Sequence, residues 1–248
     1  MSSTLPHSVT PYGNEAGSKK QQVAHMFDAI APTYDRLNRI LSLRIDVLWR
    51  KRAIAMLRPE KPQVVVDLAT GTGDFALLAR TLRPRQIIGL DISEGMLAKG
   101  RVKVRRKGLE QLIELRTGDA EHLPLANGSV DAITVGFGVR NFENLEQGLS
   151  EMLRVLRPGG VAIVLEPGFP QNRVLGTLYR WYFGRVLPQI GRLLSRDRAA
   201  YAYLCESVSA FPNGPDFVAI CKRVGFTFAT WHPLTFGICS LYRLQKSA

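Results

Sequence analysis

The stretch VVVDLATGTGDFALLAR, Val64 to Arg80, decides the fold. Three valines, an aspartate and a leucine read as a buried strand. A glycine turn follows, and DFALLAR then carries apolar residues at helical spacing. Strand, glycine elbow and helix in that order open a βαβ unit, the building block of a parallel sheet. Glycines in the elbow let the backbone approach a ligand closely. Gly71-Thr72-Gly73-Asp74-Phe75-Ala76 fits G-x-G-x-x-A, the dinucleotide fingerprint, so the turn alone admits a dehydrogenase. Asp67, four residues ahead of Gly71, shifts the emphasis. A carboxylate beside the glycines suits the cationic end of an amino acid and repels a pyrophosphate.

Downstream the alternation continues. QIIGLDI is a strand, SEGMLAKGRVKVRRKG a helix with Ser93 as N-cap, and LIELRTGD and VDAITVGF are strands. The helical NLEQGLSEMLRVL, an RPGG turn and the strand VAIVLEP come next. Near-continuous apolar strands separated by helices imply a sheet covered on both faces. GFTFATWH and FGICSLYRL are strand-like, and the few residues around Pro233 are too short a link for a parallel crossover. A parallel sheet therefore ends in an antiparallel hairpin. Upstream, Lys20 to Leu57 is helical with a break at Pro32. QQVAHMFDAI puts Val23, Met26, Phe27 and Ile30 on one face, and the following helix is expected to turn Leu48, Ile54 and Leu57 inward.

The chain has 248 residues, 46% of them hydrophobic, enough for one α/β domain with additions. Lys plus Arg is 33 against 21 Asp plus Glu, a net charge of +12. That excess favours an anionic partner, either nucleic acid or the negative face of a membrane, with plain solubility as the alternative. Cys205, Cys221 and Cys239 are odd in number, far apart and without a CxxC pair. They read as reduced thiols in a cytoplasmic protein, not a disulfide frame or a metal site. MSSTLPHSVTPYGNEAGSKK has no apolar centre and is no secretory signal; its composition suggests disorder. No run approaches the ~18–20 apolar residues that span a bilayer.

Two further acids join Asp67. Asp91 stands where IIGLDIS leaves its strand, twenty residues beyond Gly71. A carboxylate there can accept both hydroxyls of a ribose, in charge-assisted bonds of about 1.5–3 kcal/mol each. Asp119-Ala120, after LIELRTG, could frame an adenine. Each acid alone is commonly a cap or turn residue. Three at successive strand ends beside a glycine elbow describe a nucleoside pocket. On these residues, from about Lys61 to Pro167 and including the RVLRPGG turn, the chain resembles the class I S-adenosylmethionine-dependent methyltransferases. The resemblance implies an α/β, Rossmann-like seven-stranded fold with an antiparallel last strand. It also implies S-adenosyl-L-methionine as cofactor, its methionine part cradled by the elbow at Asp67, Gly71, Thr72 and Gly73.

A narrower resemblance lies outside that core. MFDAIAPTYDRLNRILSLRIDVLWRKRAI, GFGVRNFENLEQGLSEMLRVLRPGG and VLPQIGRLLSRDRAAYAYLCESVSAFP are similar to the C-methyltransferases of menaquinone and ubiquinone biosynthesis. FPNGPDF and TFGICSLY are closer to the members acting on demethylmenaquinol than to those acting on benzoquinols. That family's cofactor positions fall on Thr72, Asp91, Asp119 and Ala120; Thr70 replaces a further glycine, and Gly136 a serine, of some members. The implied organisation is a disordered tail (1–19) and a single methyltransferase domain (20–248). The domain divides into a helical cap (20–60), a cofactor core (61–168), a helical insertion for substrate or membrane (169–225) and a terminal hairpin (226–248).

The implied reaction methylates a ring carbon of a polyprenylated quinol, nucleophilic once an adjacent hydroxyl is deprotonated. Arg140 and Asn141 follow the strand DAITVGFGV, where ligands gather in open α/β sheets. Arginine stays protonated, so Arg140 is expected to stabilise the phenolate and Asn141 to orient the hydroxyl, unless the pair merely caps a helix. Tyr34, with Asp35, could line a lid; the proton acceptor is left open among His25, Tyr34, Asp35, His232 and a water relay. Arg173 to Arg198 mixes six arginines with large apolar residues, and suits either an anionic membrane surface or a packed helix pair. The implied partners are a polyprenyl naphthoquinol and an anionic membrane at its inner face, with a homodimer admitted. A nucleic-acid methyltransferase is the rival that the charge suggests. Against it, the fourth strand is followed by Gly136-Phe-Gly-Val-Arg-Asn, not by Asn/Asp-Pro-Pro-aromatic, and no cysteine stands there to attack a pyrimidine. A binding module that keeps the pocket without the chemistry is the second rival.

Overall fold

The valine-rich stretch becomes β1 (Val64–Leu68), an interior strand of a seven-stranded sheet. β1 pairs in parallel with β2 (Gln86–Asp91) on one side and β4 (Val130–Gly136) on the other. β3 (Ile113–Thr117) lies beyond β2 and β5 (Leu156–Pro167) beyond β4, again parallel. β6 (Phe228–Leu234) and β7 (Cys239–Gln245) form the antiparallel hairpin, and β7 pairs antiparallel with β5. The order is β3-β2-β1-β4-β5-β7-β6, so Pro233, which has no N–H to give a ladder, sits on the outermost strand. The computed structural model describes residues 9–13, 17–170, 172–181, 185 and 199–248.

Alternation along the strands splits the core into two layers. Val65 and Ile87 face one side with Ile54 and Leu57 of α3 (Ile45–Leu57), Phe75 of α4 (Asp74–Ala79) and Leu97 of α5 (Glu94–Arg106). Val66 and Ile88 face the other, with Leu149 and Met152 of α6 (Leu145–Val155) and Phe217 of α9 (Pro215–Val224). The remaining described helices are α1 (Lys19–Ile30), α2 (Tyr34–Leu41), α7 (Arg173–Trp181) and α8 (Ala199–Ala210). Val23 and Met26 of α1 pack on Ala200 and Tyr203 of α8. No helix among the described residues is long and apolar enough to cross a membrane.

Three expectations need correction. Leu48 is 61% exposed. The buried side of α3 carries Asp46, Ala53, Ile54 and Leu57, and at ~100° per residue Leu48 falls on the opposite face. RPGG is not a turn ahead of the fifth strand but a bulge inside it. Leu156 already pairs with Val130, the register slips, and Val161 pairs with Ala132, with Gly159 at φ +73°. The end of the tail is held, because buried Gln22 accepts the Tyr12 N–H and donates to the carbonyls of Gly13 and Gly17. Residues 1–8 and 14–16 of that tail lie outside the described residues. So does 182–198 apart from Arg185, which takes in most of the arginine-rich stretch.

Candidate active site

Beyond β1 the backbone turns sharply into α4. Ala69, Gly71 and Gly73 take φ values of +48°, +55° and +80°, and glycine makes the last two inexpensive. Asp67 holds this elbow from within. Its Oδ2 accepts from Thr70 Oγ1 at 2.5 Å and the Ala76 N–H at 3.1 Å; its Oδ1 accepts from Thr134 Oγ1 at 2.7 Å. Burial raises its pKa to about 6 in spite of those three donors. In front of the elbow there is room, since a Cβ on Gly71 would meet nothing within 4 Å.

Asp91 ends β2 with its carboxylate in the cleft, only 9% of the residue exposed. Oδ2 accepts the Gly71 N–H at 2.7 Å and Oδ1 the Ser93 N–H at 2.8 Å. Burial raises this pKa too, to about 6. Gly71, Asp91, Ala120 and Asn141 line the cleft, with Leu90, Ile92, Met96 and Phe142 as apolar wall. Gly136 contributes bare backbone at the end of β4. A Cβ there would stand 2.7 and 2.9 Å from two carbons of the Phe75 ring.

The first two helices are tied across this cleft. Lys20 Nζ lies 2.5 Å from Asp119 Oδ2 and 3.5 Å from Glu121 Oε2, and Lys19 Nζ donates to the carbonyls of Arg140 and Phe142, each at 3.1 Å. Burial brings the Lys19 ammonium down to a pKa of about 8. From α2, Asp35 accepts Thr72 Oγ1 at 2.6 Å and pairs with Lys103 at 2.6 Å. Asp119 and Thr72 are thus engaged by the cap, and neither lines the cleft; nor do Asp67 and Gly73.

Beside the cleft lies a larger cavity of about 410 Å³. Phe27, Tyr34 and Phe137 border both spaces. The cavity is mainly apolar, walled by Met26, Ile30, Ile45, Leu204 and Ile238, but its inner end carries Arg50, Arg140 and Tyr203. Arg140 Nη1 donates to Glu166 Oε2 at 2.9 Å and also to the Phe137 carbonyl; the Glu166 carboxylate has no exposed surface. Nε of Arg140 is buried without a partner. Arg50 pairs with Asp46 and stands 5.4 Å from the centre of the Phe137 ring. Tyr203 donates its hydroxyl to Asn141 Oδ1 at 3.1 Å.

Of the proton-acceptor candidates, only Tyr34 borders the cavity among the described residues. Burial raises its pKa, which keeps the phenol protonated at neutral pH. His25 lies edge-on to Tyr12, His232 is exposed on β6, and Asp35 is in its ion pair. Sequence reasoning missed Glu166, Arg50, Tyr203 and Lys20. Glu166 had a signal: it is the lone acid closing the apolar run VAIVLEP.

Strand order, glycine elbow and acid-ended β2 together define a class I methyltransferase. Within that class the chain belongs to the ubiE/COQ5 methyltransferase family, whose family model matches residues 15–246. It is 48% identical over 239 residues to a demethylmenaquinone methyltransferase of Bacteroides fragilis, covering 96% of this chain and 97% of that one. It is 44% identical over 230 residues to a ubiquinone/menaquinone biosynthesis C-methyltransferase of Geobacter sulfurreducens, covering 92% of this chain and 90% of that one. Among solved structures, a SAM-dependent methyltransferase from Thermotoga maritima aligns with a TM-score of 0.61, covering 90% of this chain and 99% of that one. At 22% identity that likeness concerns the fold.

Proposed function

We propose that this chain transfers the methyl group of S-adenosyl-L-methionine to a ring carbon of a polyprenylated naphthoquinol, demethylmenaquinol being the acceptor. One observation carries the reading: a carboxylate-ended cleft and a large apolar cavity meet at Phe27, Tyr34 and Phe137. The family, and the name of the relative from Bacteroides fragilis, support the choice of acceptor.

The cleft suits the cofactor chemically. Asp91 keeps lone pairs for a ribose diol while two backbone N–H groups fix its orientation. Gly71 leaves space ahead of the elbow, and Leu90, Ile92, Met96 and Phe142 offer an apolar bed for a base. When bound, the cofactor supplies an electrophilic methyl on a positively charged sulfur. The chain's own residues do the rest. Glu166 neutralises and orients Arg140, leaving the buried Nε–H as a donor for the oxygen that gains charge as the ring carbon attacks. Arg140 then acts through a fixed N–H dipole more than through net charge. Asn141, held by the Tyr203 hydroxyl, orients the same ring, and Tyr34 at the junction serves as a donor because its phenol stays protonated. Asp67 supports the elbow without touching the ligand.

The apolar walls of the cavity suit the prenyl tail. Each buried methylene is worth about 0.8 kcal/mol, so a tailed quinol stays in lipid until an apolar channel receives it. Capture at the anionic inner face of the cell membrane by a peripheral, cytoplasmic enzyme follows from that partition. The test is incorporation of labelled methyl from the cofactor into reduced demethylmenaquinone and, in a parallel arm, into a demethylated benzoquinol. Label in the naphthoquinol is expected; a protein that binds the cofactor and labels neither ring overturns the proposal.

A further inference from the structure

Two short turns that border the cavity share an unusual property. Leu43 and Arg44, between α2 and α3, have φ of +49° and +63°; Thr235 and Phe236, between β6 and β7, have +49° and +58°. Each turn places two successive non-glycine residues in the left-handed region, and each presents a large apolar side chain to water. Leu43 is 79% exposed and Phe236 78%. Leu43 and Thr235 both line the cavity, and Trp49 Nε1 donates to Thr235 Oγ1 at 2.8 Å, fastening α3 to the second turn. Leu48 and Phe236, each next in sequence to one partner of that bond, are both exposed. A single exposed leucine needs no explanation, but three large apolar residues exposed on segments that border one cavity do.

Charge selects the occupant. From Tyr34 to Arg58 there are seven basic residues and two acids. Asp35 pairs with Lys103, and Asp46, buried, pairs with Arg50. Arg44, Lys51 and Arg52 are exposed and have no acid within ion-pair distance among the described residues. Lys51 and Arg52 stand three and four residues after Leu48, so the outer face of α3 reads apolar flanked by basic. That combination fits a leaflet with acyl chains beneath anionic headgroups.

We propose that the α2–α3 corner and the turn at Phe236 form a membrane-docking edge that sets the mouth of the cavity against the acyl layer. The proposal deepens the lipid-borne substrate reading above and rests on it. It assigns the contact to residues other than those of the arginine-rich 173–198 segment. No helix that could span the bilayer is available among the described residues, so insertion is by side chains at turns and one helix face.

The test uses the full chain with vesicles of phosphatidylglycerol and phosphatidylcholine in equal parts, at low salt. Arg44→Gln with Lys51→Gln and Arg52→Gln should weaken partition by about fivefold per cation, roughly a hundredfold in all, from ~1 kcal/mol each. Leu48→Ser with Phe236→Ser should weaken it by about tenfold or more, a fraction of the transfer free energy of two large side chains. Methylation of a tail-less, water-soluble demethylnaphthoquinol should be unchanged in both variants, and methylation of the tailed quinol in vesicles should fall with binding. Vesicle binding equal to that of the parent in both variants overturns the proposal, as does a parent that ignores anionic vesicles. If the apolar variant instead turns a dimer into a monomer with partition unchanged, the edge is a self-interface and the proposal fails. Loss of methylation of the soluble acceptor by the parent would overturn the functional reading while leaving the vesicle result interpretable.

Discussion

Replacing Arg140 by methionine removes a cation but keeps much of the volume of its side chain. In the parent, Nη1 binds Glu166 Oε2 at 2.9 Å and the backbone N–H of the same arginine lies 3.4 Å from Oε1. Glu166 has no exposed surface, and burial already pushes its pKa up against the pull of Arg140. Without the guanidinium that carboxylate has no counter-charge, and breaking a buried pair from one side is worth about 3–5 kcal/mol of stability. Arg140→Met should therefore unfold at markedly lower urea. Adding Glu166→Gln removes the stranded charge and should return most of the loss, at least ~2 kcal/mol. Turnover should separate from stability. If the Nε–H of Arg140 donates to the developing oxyanion, both variants lose about 10²–10³ in kcat, the usual consequence of deleting one such donor. Urea titration and single-turnover methylation on the same preparations decide the matter. Recovery of turnover together with stability in the double variant would make Arg140 a structural residue and refute the reasoning.

Asp91→Asn must turn an amide N–H₂ toward either Gly71 N–H or Ser93 N–H, since both parent oxygens are acceptors. Loss of the charge and of one ribose bond should weaken cofactor binding by about 10²-fold or more in calorimetry, with little change in melting temperature. With a pKa of about 6, Asp91 should make parent affinity level above neutrality and about tenfold lower at pH 5, while Asp91→Asn is flat. For the fold the sign is opposite: a carboxyl raised above its unfolded value destabilises the native state above pH 6, and that penalty fades toward pH 4. The stability of the parent relative to Asp91→Asn should accordingly rise by roughly 1.4 kcal/mol between pH 7 and pH 5. Lys20→Met breaks a partly exposed pair across the cleft, worth up to ~1 kcal/mol, so cofactor association and dissociation should both quicken about fivefold in stopped flow with Kd nearly constant. Unaltered rates would show that Lys20 does not gate the cleft.

The sheet was legible because most of its strands are apolar runs separated by helical segments, and because the link around Pro233 permits one pairing direction. The bulge in β5 was not. Proline and two glycines signal a turn whether or not strand pairing resumes on both sides, and the pairing of Leu156 with Val130 depends on a distant strand. Asp67 and Asp91 look alike in sequence, each at or next to the end of a strand. The structure separates them by direction, one carboxylate turned under the elbow and the other toward the cleft. Lys20 on Asp119 and Tyr203 on Asn141 join residues 99 and 62 apart, and no local periodicity encodes such pairs. Leu48 failed for another reason: α3 buries Asp46 and keeps Trp49 and Arg50 partly covered over the site, so its inward side is not its most apolar side.

Gly136 and Phe75 constitute a single volume shared between two positions 61 residues apart. The ring occupies the space that a β-carbon at position 136 would claim, which leaves a smooth floor under the cleft. Neither position can drift alone: enlarging the glycine requires a smaller aromatic neighbour, and trimming the aromatic opens a void beneath the ligand. A serine at this strand end would call for a second, compensating change on α4.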